Sequence, residues 1–239
     1  MSGHSKWSTI KRKKGAADAK RGVIFTRLSK DITLAAREGG GSIDMNPALR
    51  LAIKKAKSAN MPSANIDRAI KKGTGELPGI KYEDFEYEGY GPHSVAILIE
   101  VMTDNKNRTF PEIKSIMTKN GGNLGESGCV NWMFEKKGIF TLQINNIEED
   151  KLMELLENSD VEDIIFDDNL FEIIVSSNDF KSISTIFENN QVEYDGEISL
   201  VPQNFIQLNL DEANQVIKLL EIIENHEDVQ KVHTNFQIK

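Results

Sequence analysis

The chain has 239 residues, 39% hydrophobic and 28% charged, and its 29 Lys/Arg against 37 Asp/Glu give a net charge of −8. That length allows two or three small domains with modest cores, and the even spread of Ile, Leu, Val and Phe excludes a disordered chain. No apolar run approaches the roughly 20 residues that cross a bilayer, no apolar stretch follows the basic start as in a secretory signal, and the single cysteine, Cys129, can form no internal disulfide, as suits a reducing compartment.

The net charge hides a division. Residues 1–80 carry 17 Lys/Arg and 6 Asp/Glu, a balance of +11, whereas residues 81–239 carry 12 and 31, a balance of −19. Parts so unlike in charge point to different partners. The opening is the most basic piece: residues 5–30 hold nine Lys/Arg and one acid, Asp18. Lys6 and Trp7 come first, then the unbroken run Lys11, Arg12, Lys13, Lys14. Such a run repels itself and stays solvated unless an anion neutralises it. DNA and RNA supply dense phosphates, and each neutralised phosphate releases a counterion. Trp7 could stack on a base or ribose, or anchor the segment to the helices that follow. An anionic membrane surface is the other natural polyanion, but the apolar faces of these helices are needed to cover one another.

Three helices are predicted next. Over 16–38, Ile24, Phe25, Leu28, Ile32 and Ala35 share one arc, while Lys20, Arg27, Lys30 and Arg37 share the opposite one. Lys20, Arg21, Arg27 and Lys30 would thus extend the basic stripe. "GGGS" ends this helix. Asn46-Pro47 reads as a cap and first helical residue, opening a helix with Leu49, Ala52, Ile53 and Ala56 inside and Arg50, Lys54 and Lys57 outside. Ser63 reads as the cap of a third helix, packed by Ile66, Ala69 and Ile70, with Lys71 and Lys72 near its C-terminus, where cations complement the dipole.

"GTGELPG" (73–79) reads as a linker, and strands alternate with helices beyond it. Residues 138–201 alone spell β-α-β-β-α-β, the ferredoxin-like order. Their flanks do the same when joined: strand 94–102, helix 109–120 with Thr109 and Glu112 spaced as a capping box, strand 129–135, then strand, helix, strand over 204–238. The expected fold is therefore α+β: a basic helical domain (1–80), a discontinuous α/β middle domain (81–137 and 202–239) and an inserted α/β domain (138–201), the latter two ferredoxin-like. Two consecutive irregular α/β units are the alternative.

Little in the sequence suggests bond chemistry. His4, His93, His226 and His233 lack metal-ligand spacing, so no metal is expected. "GGNLGESG" (121–128) lacks the dinucleotide-loop spacing and reads as a flexible turn. No serine sits in a nucleophile elbow, and Cys129 reads as a small core residue. No catalytic residue and no cofactor are expected. "TDNKNRT" (103–109) joins a strand to a helix start, where Asn105, Lys106, Asn107 and Arg108 place donors at a natural anion site. Lys106 and Arg108 are therefore candidates for a second nucleic-acid contact, and an ordinary Asx turn is the alternative.

Several segments resemble the YebC/PmpR family: "GHSKW" (3–7), "KKGAADAKRG" (13–22), "FTRLSKDITLAAREGG" (25–40), "NPALRLAIKKAKSANMPSANIDRAIKKGTGE" (46–76), "YEGYGP" (87–92), "TDNKNRT" (103–109) and "GGNLGESGCVNWMFEKKG" (121–138). The resemblance implies a cytoplasmic, non-enzymatic protein with one helical and two α/β domains. It implies a probable DNA-binding transcriptional regulator or, alternatively, a translation factor bound to ribosomal RNA on the ribosome that relieves stalling at difficult stretches such as consecutive prolines. Neither a membrane nor a small-molecule substrate is expected. His93-Ser94 stands where relatives often carry two glycines. Both readings require an open positive face, and neutralisation of these cations by the chain's own carboxylates would undo them.

Overall fold

The computed structural model describes residues 19–77, 82–167 and 169–239, without the side chains of 19–21, 23 and 167. Helix α1 (Ala19–Gly39), α2 (Pro47–Ser58) and α3 (Ser63–Gly73) form the basic unit. Its core is Ile32, Ala35, Ala36, Leu49, Ala52, Ile53, Ala56, Met61, Ile66 and Ala69, with Phe25, Leu28 and Ile70 at the edge; the helical periodicity marks most of these, but Ile24, expected on the same arc, is not among them. Gly40, at φ +81°, takes the left-handed turn that stops α1. Asn46 caps α2 by accepting from the Leu49 N–H at 3.0 Å, and its amide donates to the carbonyls of Ala35 and Gly40. The expected Ser63 cap is not formed; Pro62 occupies the cap position and Ser63 is the first helical residue. Helices α1 and α3 approach closely at Gly73, where a Cβ would lie 2.4 Å from the Thr33 carbonyl oxygen.

The middle unit is a four-stranded antiparallel sheet, ordered β3-β1-β2-β9, built from β1 (Glu83–Tyr90), β2 (Ala96–Thr103), β3 (Asn123–Leu124) and β9 (Val229–Thr234). Helices α4 (Lys106–Lys119) and α7 (Leu210–Glu224) cover one face. Ile97, Ile99 and Val101 of β2 pack there against Ile113, Met117, Val216 and Leu220. The alternate residues Ala96 and Leu98 pack on Val130, Phe134 and Leu200. Burial on both faces is why this strand reads as an unbroken apolar run. A short parallel pair, β8 (Ile206–Leu208) with β10 (Phe236–Ile238), closes the unit.

Between β3 and β8 the chain builds a second sheet, so one α/β unit is inserted in the other. Its elements are β4 (Phe134–Gln143), α5 (Glu149–Leu156), β5 (Val161–Asp167), β6 (Leu170–Ser176), α6 (Phe180–Asn189) and β7 (Asp195–Pro202). The strand order β5-β6-β4-β7 places the first and third strands at the centre, which is the ferredoxin-like arrangement.

Several element expectations for the middle unit are corrected. β1 pairs along β2 as a hairpin that the sequence reading did not mark as a strand. Residues 129–135 are not a strand of this sheet: a 3-10 turn (Asn131–Met133) leads into β4 of the inserted sheet. Helix α4 starts at Lys106 with Asn105 as its cap, so Thr109 lies inside the helix and the Thr109–Glu112 capping box does not form.

Candidate nucleic-acid interface

Of the expected contact residues, Lys6, Trp7, Lys11, Arg12, Lys13 and Lys14 lie outside the described residues. Lys20 and Arg21 belong to α1, without described side chains. The remaining four are placed, and the structure corrects three of them.

Lys30 is not on an open face. It is 4% exposed, and its ammonium donates to Asp228 Oδ1 at 2.6 Å, the Met102 carbonyl at 2.9 Å and the Glu227 carbonyl at 2.9 Å. An ammonium has three protons to donate, and all three point into the middle unit. Helix α1 therefore has a second buried face, set against the acidic body, that the helical wheel alone assigned to solvent.

Asp228 gathers the rest of the node. Its Oδ2 accepts from Arg108 Nη2 at 2.7 Å, Thr109 Oγ1 at 2.7 Å and Thr103 Oγ1 at 3.1 Å. Burial by itself would raise the Asp228 pKa, but the hydrogen bonds from Lys30, Arg108 and Thr109 and the charge of Lys30 hold it well below the usual carboxylate range. Arg108 also faces Asp104 at 3.3 Å and Glu227 at 3.9 Å, so its guanidinium belongs to an internal network. The Asn105 side chain accepts from the Arg108 N–H at 3.2 Å, which closes part of the expected anion site.

Arg27 is half-buried, and its Nε and Nη2 are buried without a hydrogen-bond partner among the described residues. Burial lowers its pKa, and Glu224 and Asp31 act against that shift. It faces inward, as Lys30 does. Lys106 alone of the four stays exposed, with its Nζ 4.6 Å from the centre of the Phe85 ring, a cation–π distance.

An open cationic face does exist, on α2 and α3. Residues 47–72 contain seven Lys/Arg and one acid, Asp67. Arg50, Lys54, Lys57, Arg68 and Lys71 are exposed. Apart from weak bonds from Arg50 to the carbonyls of Ile43 and Asp44, none of these five side chains has an ion pair or hydrogen bond among the described residues. Sequence reasoning set Arg50, Lys54 and Lys57 on an outer face and Lys71 near a helix C-terminus without naming them as contacts, and it passed over Arg68. The spacings Arg50-Lys54 and Arg68-Lys71-Lys72, three and four apart on one helical side, were the available signal.

The glycine-rich 121–128 segment is not a loose turn. The buried Glu88 carboxylate accepts backbone N–H bonds from Gly128, Val130 and Asn131 at 2.7–2.8 Å. Burial would raise its pKa, but these donors bring it below the usual range. Gly89 permits the approach, since a Cβ there would lie 2.2 Å from the Asn123 carbonyl oxygen. Cys129 is half-buried beside this carboxylate, and burial pushes its thiol up. Among the described residues no cluster of three or more His, Cys, Asp or Glu is set to hold a metal ion, and no helix is long and apolar enough to cross a membrane.

Two family models match the chain: "TACO1/YebC protein N-terminal domain" over residues 5–76 and "TACO1/YebC second and third domain" over residues 82–236. A "Probable transcriptional regulatory protein" of Syntrophobacter fumaroxidans is 50% identical over 240 residues, covering 100% of this chain and 96% of the relative. One with the same name from Syntrophus aciditrophicus is 53% identical over 240 residues, with the same coverage. The crystal structure of a conserved hypothetical protein from Aquifex aeolicus superposes with a TM-score of 0.86 at 41% identity, covering 98% of each chain.

Proposed function

The chain belongs to the TACO1/YebC family, and from that premise we propose that it is a non-enzymatic, cytoplasmic, nucleic-acid-binding regulator of gene expression that engages duplex DNA. The observation that carries this reading is the cationic face of α2 and α3, open among the described residues and carried on a chain that is acidic overall. Lysines dominate the face, so the contacts are to phosphates, which fix position without reading sequence. The basic run Lys11, Arg12, Lys13, Lys14, with Lys6, Trp7, Lys20 and Arg21, would extend it along the chain, and Lys106 would add a contact from the middle unit. The acidic units repel phosphate and restrict the complex to one orientation. Lys30, Arg27 and Arg108 are left out of the binding set, because the chain's own carboxylates face them.

A second reading is a translation factor bound to ribosomal RNA. What favours it is that a lysine face holds phosphates by shape and charge, which suits structured RNA as well as DNA. One competition experiment separates the two. Labelled full-length protein is offered a duplex carrying a promoter region, a random duplex and purified ribosomes at one salt concentration, and ribosome co-sedimentation is repeated after nuclease treatment. Preference for the promoter duplex supports DNA-directed regulation. Indifference to DNA sequence with nuclease-sensitive ribosome binding supports the RNA reading. Failure to bind any of these removes both.

A further inference from the structure

Helices α1 and α3 leave between them, beside Tyr82, a groove of about 320 Å³. That is near the lower end of small-ligand pockets. Ser29, Asn65, Arg68 and Lys72 line it, together with the aromatic rings of Phe25 and Tyr82. None of its lining residues is Asp or Glu. The side chains of Ser29, Asn65, Arg68 and Lys72 and the Tyr82 hydroxyl make no hydrogen bond or ion pair among the described residues. Arg68 is exposed and Ser29, Asn65, Lys72 and Tyr82 are partly exposed, so their polar ends reach solvent and are open to a ligand. Here two cations, two hydroxyls and an amide line the same space, and none of them satisfies a group in the described part of the chain. Phe25 is half-buried against the helical core and Tyr82 is half-buried, so both rings are held at the groove by their surroundings. Lys30, in the floor, is fixed by Asp228 and lies 5.4 Å from the centre of the Tyr82 ring.

The chemistry asked for is an anion attached to a flat apolar body. Arg68 and Lys72 suit a phosphate, Ser29 and Asn65 suit sugar hydroxyls or a base edge, and the rings suit a base. We propose that this groove holds one unpaired nucleotide of a nucleic-acid strand, taken between Arg68 and Lys72 on the phosphate side and Phe25 and Tyr82 on the base side. The proposal rests on the nucleic-acid reading above and adds that the protein recognises a single-stranded or extruded position within its target. A stacked duplex cannot enter, because its bases are already paired and covered on both faces.

The test measures fluorescence anisotropy of full-length protein with a labelled single-stranded RNA of about 12 nucleotides, its DNA counterpart and the matching duplex. The double variant N65A/K72A is expected to weaken single-strand binding roughly tenfold and duplex binding much less, and to lower the single-strand salt slope by roughly 0.7 for the phosphate that Lys72 no longer neutralises. Y82L is expected to weaken single-strand binding without changing the slope. The side chains of Asn65 and Lys72 have no partner among the described residues, so N65A/K72A tests binding rather than folding. Competition by free AMP or UMP distinguishes a free nucleotide from a strand as the source of the ligand. Equal losses on single strand and duplex, or no loss in any variant, overturn the groove assignment while leaving the nucleic-acid reading in place. Failure of the wild-type protein to bind single strand and duplex alike overturns both.

Discussion

Lys30 Nζ lies 2.6 Å from Asp228 Oδ1, although 198 positions separate the two residues in the chain. The pair joins α1 of the helical unit to the loop before β9 of the middle unit, and both partners are buried. The basic helices are thereby held in a set position on the acidic body, with the α2–α3 face turned outward. A buried pair of this kind adds little by its presence, but removing one partner leaves the other charge uncompensated.

Lys30→Ala should therefore cost about 3–5 kcal/mol in unfolding free energy. Urea denaturation followed by circular dichroism measures it. The double variant K30M/D228N should recover a large share of that loss, because no isolated buried charge remains. A loss below about 1 kcal/mol in K30A, as for a surface lysine, would contradict the assignment.

The depressed Asp228 pKa sets a pH dependence. Its ordinary value is 3.8 and the folded value is lower. Between the two, the unfolded chain binds a proton that the folded chain does not, so stability rises with pH. The contribution is complete above the unfolded value and is lost as pH falls through the folded one. Wild-type stability should thus decline below about pH 4, with a steeper slope than in D228N. Equal acid slopes in the two proteins would show that Asp228 is not the group concerned. Glu88, also depressed, contributes in the same direction.

His93 and Ser94 both have positive φ, 59° and 60°. Left-handed backbone costs a side-chain-bearing residue about 1–2 kcal/mol, part of which glycine returns as unfolded-chain entropy. H93G and S94G are each expected to stabilise the protein by about 0.5 kcal/mol net. Thermal unfolding of the single and double variants checks this, and a lowered midpoint in both would refute it.

Charge reversal on the open face, K54E/K57E, should weaken binding to duplex and single strand alike. It should also flatten the salt dependence by roughly 0.7–0.9 for each phosphate that is no longer neutralised. Changing Lys11, Arg12, Lys13 and Lys14 to Ala should act in the same way. Affinity measured across a salt series decides the matter, and an unchanged slope in both variants would remove the phosphate-gripping account.

The three helices, the capping Asn46 and the β-α-β-β-α-β order of the inserted unit were legible because each depends on neighbours within a few residues. The hairpin partner β1 was not, since "EDFEYEGY" has acids at four of its eight positions and its apolar residues pack only once β2 lies alongside. The 129–135 segment was misassigned because an apolar run states that a residue is buried but not which sheet buries it.

The sequence by itself determined the segregation of charge and the helical periods, since both are written in residue identity and local spacing. Which cations remain free was decided only by the tertiary structure. Lys30 and Arg27 sit on α1 as plausibly solvated as Lys54 or Arg68 on their own helices. Lys30 is buried because Asp228 and the Met102 and Glu227 carbonyls, distant in the chain, converge on its ammonium. A charge's partner is set by three-dimensional proximity, which no local pattern encodes.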